Sequence, residues 1–395
     1  MTNDVKNVPE WRFAGFVDEW EKKLLNEIAN VQMGQSPNSK NYTDDSQEMI
    51  LVQGNADLKN GKVFPRIFTK EITKLANIGD ILLSVRAPVG EIGISQMPVC
   101  IGRGVCSITS NLFIYYFLDY FNNENKWKKF SQGSTFESIS GNEVRSLIIY
   151  SPSKTEQQKI GDFFSKLDRQ IELEEQKLAK LEEQKKGYMQ KIFSQELRFK
   201  DGNGNNYSEW IKTNLKFLVS YKNGKGYEKE VVQNGKYNII NLNSISTKGM
   251  LKDSGKYSDF EDITLKKNDL IMILSDVAKG NLIGKAAIID QDDKYLLNQR
   301  VASLRIKDES TSNVLFIYYF INYFRQYFIN MSTGMSQLNI NKSTVEDFLI
   351  YLPYIEEQDK IGNFFSNLDK SIIKQLDKIE LLKERKKGFL QKMFV

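Results

Sequence analysis

The sequence predicts an α+β protein, in which two mixed α/β globular domains are joined by two long helices that form an antiparallel coiled coil, with an internal pseudo-two-fold repeat. Three observations predict this fold class. One segment of the chain returns 201 residues later. Each copy of that segment continues into a heptad pattern of apolar residues. Short strand-like runs broken by turn residues precede each copy.

The repeat is clearest at the start of the two predicted helices. Residues 156–168 read EQQKIGDFFSKLD and residues 357–369 read EQDKIGNFFSNLD, so ten of thirteen positions are identical. At the same offset, residues 185–193 (KKGYMQKIF) match residues 386–394 (KKGFLQKMF), with no insertion between the two matches. A fixed period of this kind indicates a duplicated unit of about 200 residues.

Each copy predicts a helix of about 40 residues, with apolar side chains recurring in steps of four and three. Polar Glu174 and Gln375 interrupt this seam at equivalent points. A seam of this length in both copies favours pairing of the helices with each other, whereas the alternative is that each helix packs only on its own domain. The seam residues are Ile160, Phe164, Leu167, Ile171, Leu178 and Leu181 in the first copy, and Ile361, Phe365, Leu368, Ile372, Ile379 and Leu382 in the second.

Local signals refine the two helices. Thr155 and Gln158 have the spacing of a capping box at the start of the first helix. Gly187 and Gly388 lie inside the helical pattern, where Gly costs about 1 kcal/mol relative to Ala. We expect a close approach of the helices to explain these two glycines.

The pattern divides the chain into a first globular domain (1–153), a central helical spacer (154–195), a second globular domain (196–354) and a C-terminal helical spacer (355–395). Each domain contains an aromatic helix with the shared sequence FIYYF, at 113–117 and 316–320. We interpret these aromatic residues as core rather than as stacking platforms for bases. The spacers are nearly identical and the domains divergent, which indicates constant geometry combined with variable recognition.

Composition excludes several classes of function. The 395 residues include no His and only two Cys, which excludes His-dependent catalysis, disulfide scaffolds and four-thiolate zinc sites. The net charge of +5 is compatible with a polyanionic partner. The polar first ten residues show no signal peptide, and no apolar run approaches the ~18 residues of a membrane span. We expect a reducing cytoplasmic location.

The sequence also lacks a convincing catalytic motif. Residues 280–286 (GNLIGKA) have one residue too few between the glycines for a phosphate-binding loop, and Ala where Ser or Thr would hold magnesium. Asp276 with Lys279, and Asp292 with Lys294, match only fragments of nuclease spacing, so solvated charge is the simpler interpretation. The sequence therefore favours a binding protein over an enzyme.

Three further motifs accompany the repeated helix motif. They are GDILLSVRAPVG at 79–90, IGRG at 101–104 and GSTF at 133–136. Together these motifs resemble the specificity (S) subunit of type I restriction-modification systems over essentially the whole chain. The second half departs from the pattern, with DVAKG at 276–280 in place of RAPVG, and GMSQ at 334–337 in place of GSTF.

This resemblance implies two target recognition domains, each reading one half of a bipartite, asymmetric site in double-stranded DNA. The coiled-coil spacers would fix the distance between half-sites and dock two modification (methyltransferase) subunits, with restriction (translocase and nuclease) subunits joining the full complex. The chain would be non-catalytic and bind no cofactor, since S-adenosylmethionine, ATP and magnesium are used by the partner subunits. No membrane is implied.

Two other interpretations remain open. The chain could be a coiled-coil scaffold that pairs two interaction domains and does not bind DNA. It could also be a self-sufficient methyltransferase or nuclease, which the missing motifs disfavour. Specific binding to duplex DNA, together with modification subunits, distinguishes the first interpretation from a specificity subunit.

The candidate DNA-contacting residues are polar side chains in the loops of the two domains. Lys and Arg provide phosphate contacts, whereas base edges are read by side chains that reach into a groove. Arg103 and Arg300 pair in the sequence comparison, and a structural role for both is the alternative. The candidates are Gln35, Ser36, Lys40, Arg86, Arg103, Ser134 and Thr135 in the first domain, and Lys222, Lys225, Lys279, Gln299, Arg300, Ser336 and Gln337 in the second.

Overall fold

The computed structural model describes residues 7–130, 138–277 and 280–395. The chain divides into two compact units: Met1–Gln176 with Leu376–Val395, and Lys177–Gln375. Each unit therefore contains one globular domain and half of each long helix. The predicted boundaries at 153, 195 and 354 follow the order of segments along the chain and stay a prediction.

In its described residues, the first globular domain has short strands and three helices, followed by a long fourth helix. The strands are β1 (Glu21–Leu24), β2 (Asn30–Met33), β3 (Tyr42–Thr43), β4 (Met49–Val52), β5 (Leu58–Lys59), β6 (Lys62–Val63), β7 (Phe68–Thr69), β8 (Leu75–Ala76), β9 (Ile81–Ser84), β10 (Ile92–Ile94), β11 (Val99–Ile101), β12 (Val105–Thr109) and β13 (Ile148–Ser151). The helices are α1 (Leu25–Ile28), α2 (Leu112–Asn123), α3 (Gly141–Arg145) and α4 (Lys154–Phe193).

The second globular domain is likewise built from short strands and helices. Its strands are β14 (Ile211–Asn214), β15 (Val219–Asn223), β16 (Tyr237–Ile240), β17 (Tyr257–Ser258), β18 (Leu270–Ile273), β19 (Ser275–Val277), β20 (Ala286–Ile288), β21 (Tyr295–Leu297), β22 (Val301–Ile306), β23 (Gln337–Asn339) and β24 (Leu349–Leu352). The helices are α5 (Leu215–Leu218), α6 (Val314–Tyr323), α7 (Gln326–Asn330), α8 (Lys342–Glu346) and α9 (Ile355–Met393).

The two domains share a core topology, to which the first domain adds edge strands. The strand order β2-β12-β9-β10 in the first domain is repeated as β15-β22-β18-β20 in the second, and β7-β4-β11 is repeated as β17-β16-β21. Strand directions also agree, because β4 and β11 are parallel, as are β16 and β21. The predicted duplication and the mixed α/β fold class are therefore confirmed, although the domain sequences diverge too far to show the common topology by themselves.

The aromatic helices α2 and α6 lie at the centre of the two cores. In the first unit, Phe113 packs with Phe164 of α4 and Phe394, which follows α9, in one buried cluster. In the second unit, Phe316 of α6 belongs to the same cluster as Phe365 of α9. The interpretation of both FIYYF segments as core is correct, and each core binds the ends of the long helices to its domain.

Within each unit the long helices run antiparallel. In the first unit, Phe163 of α4 contacts Phe389 of α9, with ring centroids 5.2 Å apart. Further along α4, Glu174 pairs with Lys378. Higher residue numbers on α4 therefore face lower residue numbers on α9, as in an antiparallel pair. In the second unit, the rings of Phe193 and Phe365 lie 5.9 Å apart. Pairing of the helices with each other, rather than with their own domains alone, is therefore observed.

None of the predicted seam residues is exposed. The buried members are Ile160, Phe164, Ile171, Ile361, Phe365, Ile372, Ile379 and Leu382, whereas Leu167, Leu178, Leu181 and Leu368 are half-buried. Glu174, the polar interruption of the first seam, is also buried and bonds with Lys378 across the pair at 2.8 Å. A buried charge of this kind requires such a partner.

Two local predictions about the helices are wrong. Helix α4 begins at Lys154, and its cap is Ser153, whose Oγ accepts the N–H of Glu156 at 3.3 Å, so Thr155 lies inside the helix. A Cβ at Gly187 or Gly388 would meet no atom of the described residues within 4 Å, so close helix approach does not explain these glycines.

Candidate nucleic-acid interface

Four segments of the first domain converge at one end of the sheet that contains β12. The N–H of Gly34 donates to Val105 O and that of Gln35 to Ile101 O, both at 2.9 Å. The N–H of Val85 donates to Gly104 O at 2.8 Å, and that of Ile139 to Val85 O at 2.9 Å. These backbone bonds bring the loops that follow β2, β9 and β11 to one place.

The second domain repeats all four bonds. Gly224 donates to Val301 O and Lys225 to Leu297 O, both at 3.0 Å. Leu274 donates to Arg300 O and Ile340 to Leu274 O, both at 2.9 Å. The repeated bonds define equivalent positions in the two domains independently of sequence similarity.

This register corrects the sequence comparison. Since Val105 corresponds to Val301, and Ile101 to Leu297, Arg103 corresponds to Gln299 and not to Arg300. Likewise, Arg86 corresponds to Ser275, because Arg86 bridges Ser138 where Ser275 pairs with Asn339. The sequence comparison aligned Arg86 with Asp276 because it assumed loops of equal length, whereas the loop after Leu274 is longer than that after Val85.

Glycine fixes the tightest point of each site. A Cβ on Gly34 would lie 2.2 Å from Gly102 O, and one on Gly224 would lie 1.9 Å from Asn298 O. No side chain fits at such distances, so both loops approach the turn before β12 or β22 through bare backbone. The position of the neighbouring candidate residues is therefore set by main-chain packing.

In the first domain, Gln35, Lys40, Arg86 and Arg103 are exposed. Ser36 is half-buried, and its Oγ accepts the N–H of Arg103 at 3.1 Å, so it supports the turn that carries Arg103. The candidates Ser134 and Thr135 lie outside the described residues.

The loop that carries Lys40 is anchored by an acidic residue that the sequence did not single out. The Glu71 carboxylate accepts the N–H of Asn38 at 2.9 Å and the side-chain amide of Asn41 at 2.6 Å. These two hydrogen bonds hold the pKa of Glu71 below its usual value. Glu71 therefore positions the loop rather than contacting a ligand itself.

In the second domain, Lys222, Lys225, Gln299, Arg300 and Ser336 are exposed. Gln337 is half-buried, and its amide donates to Ser275 Oγ at 2.8 Å. Arg300 has a φ of +68°, a left-handed conformation that is uncommon for a residue with a side chain. Lys279 lies outside the described residues.

Two acidic side chains, Asp262 and Glu228, form hydrogen bonds that position the candidate residues of the second domain. Asp262 accepts from Lys225 Nζ at 2.8 Å and from the Tyr227 hydroxyl at 3.0 Å. The bonds from the Lys225 ammonium and the Ile263 N–H, with that from Tyr227, lower the pKa of Asp262 to about 2. Glu228 accepts from the Gln299 amide at 2.6 Å. Sequence reasoning missed both acids because their partners are distant along the chain.

A second pair of missed residues anchors each domain to a long helix. Arg12 makes two bonds to the buried Glu156 near the start of α4, at 2.7 and 2.8 Å. Arg198 makes the equivalent bonds to the buried Glu357 of α9, at 2.6 and 3.2 Å. The shared Arg-Phe dipeptide at 12–13 and 198–199 is the sequence signal that could have revealed this repeat.

The shared lysine of the KKG segment also makes internal contacts. In the first unit, Lys386 bonds with Asp119 at 2.9 Å and Asp168 at 2.8 Å, inside a cleft of about 1050 Å³. Burial opposes the charge on Lys386, but the two carboxylates raise its pKa above the usual value. In the second unit, Lys185 bonds with Asp369 at 2.5 Å. These lysines are therefore satisfied within the chain.

The described residues contain no group of three or more acidic or Cys side chains suited to holding a metal ion. Among these residues, no helix is both long and apolar enough to cross a membrane. In each domain the exposed candidates are Lys, Arg, Gln or Ser side chains, whose hydrogen-bond donors suit phosphates and base edges.

Comparison with known proteins assigns the family. The model of the type I restriction modification DNA specificity domain matches twice, at residues 17–183 and 207–383. The chain belongs to the type I restriction-modification DNA specificity family. Each copy of the specificity domain covers one globular domain and most of the long helix that follows it. The predicted family and its two recognition domains are thus confirmed.

Two relatives of this family come from Methanocaldococcus jannaschii. The one named for the MjaX specificity subunit of a type I restriction enzyme is 32% identical over 191 residues, which are 46% of this chain and 44% of that relative. The type I restriction enzyme MjaVIII specificity subunit is 25% identical over 344 residues, covering 82% of this chain and 80% of that relative. The match with the first relative thus spans less than half of its length.

Two solved structures share the fold. The S subunit of the type I restriction-modification system from M. genitalium superposes with a TM-score of 0.66 at 16% identity, covering 98% of this chain and 99% of its own. A chain from a structure on complex assembly and conformational transition of the type I R-M system gives a TM-score of 0.58 at 15% identity, covering 97% and 99%. At these identities the likeness concerns the fold alone.

Proposed function

We propose that this specificity-family chain is the DNA-recognition subunit of a type I restriction-modification complex. Each recognition domain reads one half of a bipartite, asymmetric target in double-stranded DNA. The observation that carries the proposal is the double match to a DNA specificity domain, once on each of two domains with the same core topology. The exposed loops at the ends of β12 and β22 provide the polar surface for this role.

The two long helices act as spacers in this proposal. They fix the distance between half-sites and bind two modification subunits, to which restriction subunits are added. The chain itself has no catalytic site and holds no cofactor, whereas S-adenosylmethionine, ATP and magnesium belong to the partner subunits. The complex works in the cytoplasm and needs no membrane.

The direct test is selection of binding sites from random duplex DNA by the full chain with modification subunits. We expect a motif with two specified half-sites separated by unspecified base pairs. A chain that binds modification subunits but enriches no DNA motif would instead be the scaffold that pairs two interaction domains. Transfer of labelled methyl groups to DNA by the chain alone would contradict its non-catalytic role.

A further inference from the structure

The two recognition domains differ at one equivalent position with clear consequences for base reading. Arg103 and Gln299 occupy the same place in the turn before β12 and β22, as the four repeated backbone bonds establish. Both side chains are exposed. At this equivalent backbone position, the first domain therefore presents an Arg side chain and the second presents a Gln side chain.

The backbone at this position is fixed on both sides. The Arg103 N–H donates to Ser36 Oγ at 3.1 Å, and the Gln299 N–H donates to Lys225 O at 2.7 Å. On the other side of each turn, Gly34 packs against Gly102 and Gly224 packs against Asn298. A side chain mounted on a rigid turn can read a base with less loss of conformational entropy than one on a mobile loop.

The free donors and acceptors of the two side chains differ. The Arg103 guanidinium makes no side-chain hydrogen bond or ion pair within the described part of the chain, so no described residue occupies its fork of donors. Guanine presents two acceptors, N7 and O6, in the major groove, and Arg binds both.

Gln299 is oriented by its neighbour. One N–H of its amide donates to Glu228 Oε1 at 2.6 Å, which leaves the second N–H and the amide oxygen unused by that bond. A donor and an acceptor side by side match adenine, which presents N7 and the N6 amino group. The Glu228 carboxylate thus fixes which way the amide points.

We infer that Arg103 and Gln299 are equivalent specificity-determining residues, with Arg103 reading a guanine in the half-site of the first domain and Gln299 reading an adenine in that of the second. This inference rests on the proposed function. It assigns one base pair in each half-site to one named side chain.

The test exchanges the two residues in the complex with modification subunits and repeats the selection from random duplex DNA. Arg103→Gln should lower the preference for guanine at one position of one half-site about tenfold or more, since a bidentate pair discriminates by about this factor. Gln299→Arg should do the same for adenine in the other half-site. In each variant the untouched half-site should stay as in the wild type.

Arg66→Gln is the matched control, because Arg66 is exposed in the first domain and is not among the candidate DNA-contacting residues. It should leave both half-sites unchanged. A second variant, Arg103→Ala, should give a degenerate base at the position that Arg103→Gln changes. Glu228→Gln should weaken the adenine preference without touching the first half-site.

The inference is overturned if the wild type selects a bipartite motif and Arg103→Gln and Gln299→Arg leave every position unchanged. It is also overturned if Arg66→Gln changes the same position as Arg103→Gln. Failure of the wild type to select any motif would instead contradict the proposed function. The two failures are therefore distinguishable.

Discussion

Arg198 and Glu357 show how a single buried contact ties a recognition domain to a long helix. The Glu357 side chain is fully buried and accepts from both Arg198 and the Trp210 indole, the latter at 3.2 Å. Removing the cation that pairs with a buried carboxylate is strongly destabilising, because the carboxylate charge then stays buried without a partner. The Arg–Glu pair recurs as Arg12 and Glu156, so the duplication preserved this pair in both units.

The substitution Arg198→Met should therefore lower the free energy of unfolding of the second unit by about 3 kcal/mol. Urea denaturation followed by circular dichroism measures the change. Lys216→Met is the control, since the Lys216–Asp347 pair is exposed and should contribute much less to stability than the buried pair. Equal effects of the two substitutions would show that the buried pair does not anchor the domain.

Lys285 is a residue whose charge opposes folding. Burial, aided by the cationic side chains of Arg325 and Lys185, lowers its pKa to about 8. The corresponding residue of the first domain is Glu91, since the carbonyl oxygens of Glu91 and Lys285 accept equivalent backbone N–H groups from Ser84 and Ile273. Because its pKa is lowered, Lys285 binds its proton less tightly in the folded state than in the unfolded chain.

The penalty from Lys285 is complete below pH 8 and disappears as the pH rises towards 10.5, where the unfolded chain also loses the proton. Lys285→Met should therefore be more stable than the wild type at pH 7, and the difference should shrink between pH 8 and 10.5. Denaturation of both proteins at several pH values checks this. A difference that grows with pH would contradict the assigned cause.

At the scale of elements, sequence reasoning succeeded where periodicity carries the information. The heptad seam predicted α4 and α9, which are 40 and 39 residues long in the structure. The prediction succeeded because apolar residues recur at the same heptad spacing along the whole helix. The strand order of the domains could not be predicted, since pairing between distant strands leaves no periodic trace. The equivalence of Arg103 with Gln299 likewise depends on backbone bonds between distant segments.

The seam gives a prediction at this scale. Ile171→Asp should destabilise the first unit by several kcal/mol, because it buries an unpaired charge. Leu173→Asp on the same helix is the control, since Leu173 is 40% exposed whereas Ile171 is 8% exposed. Thermal unfolding compares the two variants. If Leu173→Asp were as harmful as Ile171→Asp, the predicted seam would not be the packed face of α4.

At the scale of the whole molecule, the proposed function gives the spacers a constant geometry and the domains a variable recognition role. The 201-residue offset is kept without insertion through both helices, whereas the loops after Val85 and Leu274 differ in length. Under the proposed function, a fixed half-site distance would explain the constant spacers, and different half-sites would explain the divergent loops.

Inserting four residues near Ala179 tests the spacer role, because it lengthens α4 by roughly 6 Å. The insertion shifts the seam by about half a heptad, a stutter that paired helices absorb by local unwinding. At about 3.4 Å per base pair, the target should keep its half-sites and gain one or two base pairs between them. Mapping of DNA methylation in cells that carry the variant complex measures the spacing, and an unchanged spacing would mean that the modification subunits alone position the domains.

Methylation mapping after domain exchange measures whether each domain reads one half-site. Residues 1–150 are replaced by the matching domain of a relative with a different target, and the complex is expressed in a host that lacks other adenine methylation. If each domain reads one half-site, one half-site should change to that of the relative, while the other half-site and the spacing stay as in the wild type. A change in both half-sites would contradict this assignment.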